Sequence, residues 1–262
     1  MAAFTRRSFL GGAACAVAGY SFGWEPLWLD VTKHRVSVPG LPESVRIAQV
    51  TDAHLGHFDW AEEALVHEIN RVAPDIVVLT GDLIDDERQL PVLRRLCAEL
   101  RAPSRRLLAT LGNWEHWGGI ANETLRAVYE GEGVTLLVNE TVTVRGSAIG
   151  GTDDATGGKP RPRRVLRDLD RRPSLLLTHS PGALDRLPSA RVSLTLAGHT
   201  HGGQINAGPW NLVTPPGSGR FVAGLYSTPV GAAYVSRGTG TSIAPARLCA
   251  RPELPIFDLE RA

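Results

Sequence analysis

From residue 45 onward, short β-branched apolar runs alternate with amphipathic stretches, and a polar cluster follows five of the apolar runs. Such alternation points to an α/β sandwich: each run buries as a strand, and the stretches between offer one apolar face to cover it. Val45 to Val50 is the first strand. Ala64, Leu65, Ile69 and Val72 recur at helical spacing, and Pro74 stops that helix before a strand over Ile76 to Leu79. A helix over Leu90 to Leu100, a strand over Leu107 to Leu111 and a helix over Glu123 to Tyr129 continue the pattern. Thr141 to Val144 and Ala148 to Ile149 read as a hairpin turning at Arg145-Gly146, with later strands at Leu175 to Leu177 and Val192 to Leu196. Beyond Gly208, Phe221 to Tyr226, Ala232 to Ser236 and Leu254 to Leu259 are expected as antiparallel strands covering one side.

The 262 residues, 43% hydrophobic and 21% charged, suffice for one sizeable domain and exclude disorder. A net charge of +1 gives no electrostatic case for nucleic acid. The Arg- and Pro-rich segment from Lys159 to Arg172 lacks interleaved aromatic residues for base stacking, so it reads as a surface loop leading into a short helix.

The first 23 residues read as an address, leaving a domain over residues 24–262. Thr5-Arg6-Arg7-Ser8-Phe9-Leu10 is a twin-arginine pattern, and the small apolar run Gly11 to Tyr20 is too short for an ordinary membrane span. Export by the twin-arginine machinery to an extracytoplasmic or periplasmic location is the expectation. Cleavage at Ala16-Val17-Ala18 and retention as an uncleaved anchor at the membrane surface both stay open. Cys97 and Cys249 are expected as buried free thiols, although export would permit a disulfide between them.

The clusters are Thr51-Asp52-Ala53-His54, Gly81-Asp82, Gly112-Asn113, Thr178-His179 and Gly198-His199-Thr200-His201. In α/β sheets ligands bind beyond the carboxyl ends of strands, so clusters far apart in sequence can converge there. Asp, Asn and His without thiolate suit divalent ions such as Mn, Fe or Zn. Seven candidate ligands (Asp52, His54, Asp82, Asn113, His179, His199, His201) are too many for one ion. Two ions about 3.5–4 Å apart, bridged by a carboxylate, would use them all.

These ordered motifs resemble the calcineurin-like metallophosphoesterase family over nearly all of the chain after residue 23. Gly198-His199-Thr200-His201-Gly202-Gly203-Gln204 is the most specific piece. With Ser236-Arg237-Gly238-Thr239-Gly240, Pro245-Ala246-Arg247 and Arg251-Pro252-Glu253 it resembles a bacterial subgroup typified by the YaeI and YkuE phosphodiesterases, which includes UDP-2,3-diacylglucosamine hydrolases. The resemblance implies a four-layer α/β/β/α sandwich of two mixed sheets. It also implies that Asp52, His54 and His201 bind one metal, that Asn113, His179 and His199 bind a second, and that Asp82 bridges them. The implied reaction is attack of a bridging hydroxide on a small-molecule or lipid phosphodiester, or on a pyrophosphate.

The chain departs from the family at one position: Trp114 follows Asn113 where a histidine usually acts as general acid. His116 and His57 are the candidates to replace it, and Arg237 and Arg247 are candidates to hold the substrate phosphate alongside Asn113. Trp114 and Trp117 would form an apolar wall beside the metals, expected as packing, with contact to a lipid or aromatic substrate as the alternative. Asp153 and Asp154, after a Gly150-Gly151 turn, read as loop caps. The competing functions are a UDP-2,3-diacylglucosamine pyrophosphatase of lipid A synthesis, whose substrate is cytoplasmic, and a non-catalytic metal-binding or envelope-binding module.

Overall fold

The structure, a computed structural model, describes residues 6–170, 173–208, 210, 211 and 213–262. One six-stranded sheet has the order β1 (Asp30–Val38), β14 (Glu253–Arg261), β2 (Val45–Val50), β3 (Ile76–Thr80), β4 (Arg106–Thr110), β5 (Val134–Leu136). The other has the order β12 (Gly224–Thr228), β13 (Gly231–Val235), β9 (Val192–Ala197), β8 (Ser174–Leu177), β7 (Ser147–Gly151), β6 (Glu140–Val144). A short ribbon pairs β10 (Asn206–Ala207) with β11 (Trp210–Asn211). The helices are α1 (Arg6–Gly19), α2 (Trp60–Val72), α3 (Leu90–Glu99), α4 (Asn113–Trp117), α5 (Asn122–Gly131) and α6 (Pro162–Leu169).

Strand periodicity builds the layers, because successive side chains point to opposite faces. Val77 and Leu79 of β3 pack among Leu65, Ile69, Leu93 and Leu125 of α2, α3 and α5. Their neighbours Ile76 and Val78 face the other way, into a core shared with Ile149, Leu175, Leu177, Leu194 and Leu196 of the second sheet. Val165, Leu166 and Leu169 of α6 cover that sheet's far side, packing with Leu176 and Ala197. The result is the expected α/β/β/α order. Both sheets are mixed: β2 to β5 run parallel and β14 antiparallel to β2, while β7, β8, β9 and β13 run parallel and β6 and β12 pair antiparallel at the edges.

Local chemistry sets the element ends. Asp59 and Glu62 form a capping box on α2, and Ala73 ends the helix in the left-handed region just before Pro74. Arg145 and Gly146, at φ 47° and 74°, make the two-residue turn that right-handed strand twist favours.

The structure corrects three expectations. The C-terminal strands do not form an antiparallel cover. β14 lies inside the first sheet, parallel to β1, and β13 lies parallel to β9; the near-continuous burial of β14 fits an interior strand. Gly150-Gly151 is not a turn but the end of β7, where a Cβ on Gly150 would sit 3.1 Å from Leu169 Cδ1 of α6. All three cysteines are free, and Cys249 is exposed rather than buried.

The N-terminal helix α1 is exposed from Ser8 onward, and Thr5 of the twin-arginine pattern lies outside the described residues. No described helix is long and apolar enough to cross a membrane. The chain joins the domain at Ser21, whose carbonyl accepts from Arg247 N at 2.9 Å. Buried Glu25 then accepts from Cys249 N at 3.0 Å and Ala250 N at 2.6 Å.

Candidate metal centre

The five polar clusters leave β2, β3, β4, β8 and β9 at their carboxyl ends, and the two sheets bring those ends together. His179 Nδ1 lies 2.8 Å from Thr80 O across the sheets, and His199 N donates to Asp52 Oδ1 at 2.8 Å. All seven candidate ligands therefore meet at one edge of the sandwich. Asp52, His54 and His201 form one group, and Asp82, His179 and His199 a second, with the ligand atoms of each within 4.8 Å of one another. Asn113 joins the second, its Oδ1 lying 2.8 Å from His199 Nδ1.

Hydrogen bonds select which imidazole nitrogen is offered, as in sites where a second interaction orients a metal-binding histidine. His54 Nδ1 is taken by Asp85 at 2.6 Å, so its Nε2 faces inward, 3.1 Å from His201 Nε2. His199 Nε2 is taken by Pro216 O at 2.8 Å, which leaves Nδ1 inward. His179 Nε2 comes within 2.9 Å of Asp82 Oδ2, but out of hydrogen-bonding direction, and is buried without a hydrogen-bond partner. Ring nitrogens converging on two buried carboxylates leave polar groups that a divalent cation would satisfy.

Charge has the same sense. Burial lowers the basicity of His179, yet Asp82, Asp52 and Asp154 around it outweigh that and raise its pKa well above the ordinary value. Burial, reinforced by His54 and Arg247, pushes His201 well below its ordinary value, so it stands neutral with a lone pair to give. Burial raises Asp52, a carboxylate short of positive charge.

The backbone is strained where the ligands sit. Asp52, His54, Asp82, His199 and His201 all have positive φ, between 46° and 74°, a region that Asp and His enter more readily than most residues. Glycines allow this close approach. A Cβ on Gly112 would collide with the Asp82 carboxylate, and one on Gly198 with that of Asp52.

Other candidates lie elsewhere. His57 is exposed, 3.8 Å from Asp59. His116 Nε2 is held by Asp153 at 2.6 Å, a hydrogen bond that raises its pKa, and neither histidine lines the cleft at the centre. Arg237 and Arg247 do not reach that cleft either. Arg237 binds Arg251 O at 2.9 Å and Asp30 at 2.8 Å. Arg247 is wholly buried, and its guanidinium donates to the carbonyls of His201, Arg237, Gly238, Gly240 and Ala250. With its fork spent on backbone, Arg247 has no donors for a phosphate. Asp153 and Asp154 are loop caps: Asp153 accepts from Lys159 N at 2.8 Å, and Asp154 from Thr156 N at 2.7 Å.

Sequence reasoning missed Glu115 and Asp85. Glu115 is buried and accepts from Asp82 N, Leu83 N and Gly112 N at 3.0, 2.7 and 2.9 Å. Its signal was local, a glutamate at the third position of a short helix beginning at Asn113. Trp114 N donates to Asp82 Oδ1 at 2.8 Å, and its ring meets His54 edge-on. Trp114 and Trp117 wall a cleft of about 470 Å³ whose floor includes Asp82, Asn113, His199 and His201.

Residues 45–203 match the family model described as calcineurin-like phosphoesterase. The chain is 32% identical to an uncharacterized metallophosphoesterase of Bacillus subtilis, YkuE, over 99% of both chains. It is 30% identical to an uncharacterized metallophosphoesterase of Aquifex aeolicus, over 90% of this chain and 94% of that one. The phosphodiesterase YaeI of Escherichia coli is 28% identical over 97% of this chain and 99% of its own. The five motifs, the layered fold and the match of residues 45–203 together place this chain in the calcineurin-like phosphoesterase family.

Proposed function

We propose that this protein is a two-metal phosphoesterase that hydrolyses phosphodiesters. The observation that carries the reading is that two three-ligand groups, Asp52-His54-His201 and Asp82-His179-His199, lie side by side, with His179 Nε2 2.9 Å from Asp82 Oδ2 and 3.9 Å from Asp52 Oδ1. Asp52, His54 and His201 would hold one divalent ion and Asn113, His179 and His199 a second, with Asp82 shared between them. Mn, Fe and Zn all suit this donor set. Bound there, the ions supply Lewis-acid polarisation of the phosphoryl group and lower the pKa of water.

The chain's own residues do the rest. Asp85 and the carbonyls of Thr80 and Pro216 lock three imidazoles in their ligating tautomers. Asn113 offers its amide N–H to a phosphoryl oxygen. Among the described residues lining the cleft, no acid stands beyond the ligand set, and His116 is turned to Asp153. The leaving oxygen therefore departs without a proton from the protein, and esters of acidic alcohols are favoured.

Metal-depleted protein reloaded with Mn, Fe or Zn and assayed on bis(p-nitrophenyl) phosphate tests this reading. Asp82→Ala and His179→Ala are expected to lower the rate at least ~100-fold and to reduce metal stoichiometry. Metal-loaded protein that leaves this ester intact and behaves identically to its Asp82→Ala variant would sink it and favour a non-catalytic module.

Export by the twin-arginine route belongs to the same proposal, supported by the Arg6-Arg7 pair that opens α1, a helix exposed from Ser8 onward. Because Ser21 O accepts from Arg247 N, cleavage after Ala18 leaves that tie to the domain in place. Fractionation of cells expressing the full chain checks this; activity confined to the cytoplasm would favour the lipid A pyrophosphatase.

A further inference from the structure

We infer that the substrate carries a long apolar chain as its non-leaving ester group, seated in the cleft beside the metal centre; this rests on the phosphoesterase reading above. The cleft shares Asp82, Asn113, His199 and His201 with the ligand set, so whatever fills it adjoins the reacting phosphorus. Away from that floor the walls are mostly apolar, made chiefly by Trp114, Trp117, Ile205, Val213, Pro216 and Ile243, with Thr200, Gln204 and Ser242 as the polar members. Three of these stand largely in water, Trp117 at 56%, Val213 at 72% and Ile243 at 97% exposure. Scattered exposed apolar residues need no explanation, but several around one cleft mouth mark a binding site for apolar matter.

Ile243 shows that the rim is built rather than slack. It sits at φ 65°, a conformation that is a genuine outlier for a β-branched residue. Gln204 holds it there. Its Nε2 donates to Ser242 O at 2.9 Å and Ala244 O at 3.0 Å, and its Oε1 accepts from Ser242 N at 3.0 Å. Gln204 is the last residue of the motif that contains His201, so one short segment fixes both a candidate ligand and the apolar jaw. Strain of this kind persists at sites where the surroundings over-determine it.

Charge selects among occupants. No lysine or arginine appears among the described residues lining the cleft, so a second phosphate, as in a nucleoside diphosphate ester, would find no side-chain counter-charge beyond the metal centre itself. An alkyl chain has no such cost, and each methylene it buries improves binding up to about fourfold.

The test is a set of p-nitrophenyl alkyl phosphates from ethyl to dodecyl, all with one leaving group and below micellar concentration, with thymidine 5′-(p-nitrophenyl) phosphate as the nucleoside arm. We expect kcat/KM to rise about two- to fourfold per methylene over the first several carbons, chiefly through KM. The nucleoside ester should do no better than the ethyl one. Ile243→Gly and Trp117→Ser should each cut the dodecyl-to-ethyl ratio about tenfold or more. Ile243→Gly relieves the positive φ, so its Tm should not fall, which separates loss of the jaw from loss of fold. A flat chain-length series, or preference for the nucleoside ester, overturns the inference. Binding of dodecyl phosphate against inorganic phosphate, read by tryptophan fluorescence, is the second measurement. If no ester is hydrolysed with any metal but binding still tightens with the chain, the phosphoesterase reading fails and the apolar site stands; if binding ignores the chain, the apolar site fails.

Discussion

Glu115 touches no ligand nitrogen, yet its carboxylate accepts the backbone N–H groups of Asp82, Leu83 and Gly112 and so holds the turn that aims Asp82. A glutamine there keeps the shape but turns an amide donor toward at least one N–H, which costs about 1–3 kcal/mol. Glu115→Gln is therefore expected to weaken metal binding about 10–100-fold, measured by calorimetric titration of metal-free protein. Arg247 allows a sharper distinction. A phosphate-binding arginine would change KM and leave Tm alone, whereas one bonded to five backbone carbonyls does the opposite. Arg247→Lys should lower Tm by several degrees as several of those bonds are lost at ~1 kcal/mol each, with KM for a small ester near that of the parent.

Packing constrains the elements as tightly as hydrogen bonds constrain the ligands. Val165 and Leu169 of α6 approach β7 closely because Gly150 has no side chain. Gly150→Val should cost about 1–3 kcal/mol by overpacking, seen as a lower urea midpoint at unchanged slope. The cap of α2 belongs to the same scale. Asp59 accepts from Ala61 N at 3.0 Å while Glu62 accepts from Asp59 N, so Asp59→Ala should cost about 0.5–2 kcal/mol in the same measurement.

At the scale of the whole molecule, acid and truncation probe how the parts are tied. Burial alone would raise the Asp154 carboxyl, but the charge of His179 and hydrogen bonds from Ser180, Thr156 and Gly157 outweigh it and hold the pKa at about 2, against an ordinary 3.8. A carboxyl depressed on folding contributes stability above its unfolded pKa and loses it as pH falls through the folded one. The contribution of Asp154 is thus complete above about pH 4 and fades toward pH 2. Asp154→Asn should show a lower Tm at neutral pH and a shallower decline between pH 4 and 2, measured in metal-free protein. Truncation to Gly19 should leave Tm unchanged, while truncation past Glu25 strands the N–H groups of Cys249 and Ala250 and should lower it.

Periodicity and punctuation by themselves determined much of this protein. The strands at Val45–Val50 and Val192–Ala197, the Arg145-Gly146 turn and the α2 stop at Pro74 are local consequences of residue type, and the five polar clusters follow their strands as the α/β rule requires. What depends on distant partners was not legible. β1 is a half-exposed edge whose register exists only through pairing with β14. The two arginines look alike in sequence as phosphate ligands, and only burial shows the Arg247 guanidinium surrounded by carbonyls. His57 and His116 likewise differ only in where the fold puts them, one in water and one against Asp153. Residue types thus set which elements form and which side chains can bind metal, because those properties are local. Tertiary structure decided which nitrogen each histidine offers and what walls the cleft, because a hydrogen bond or an apolar contact needs a partner that the chain supplies from far along its length.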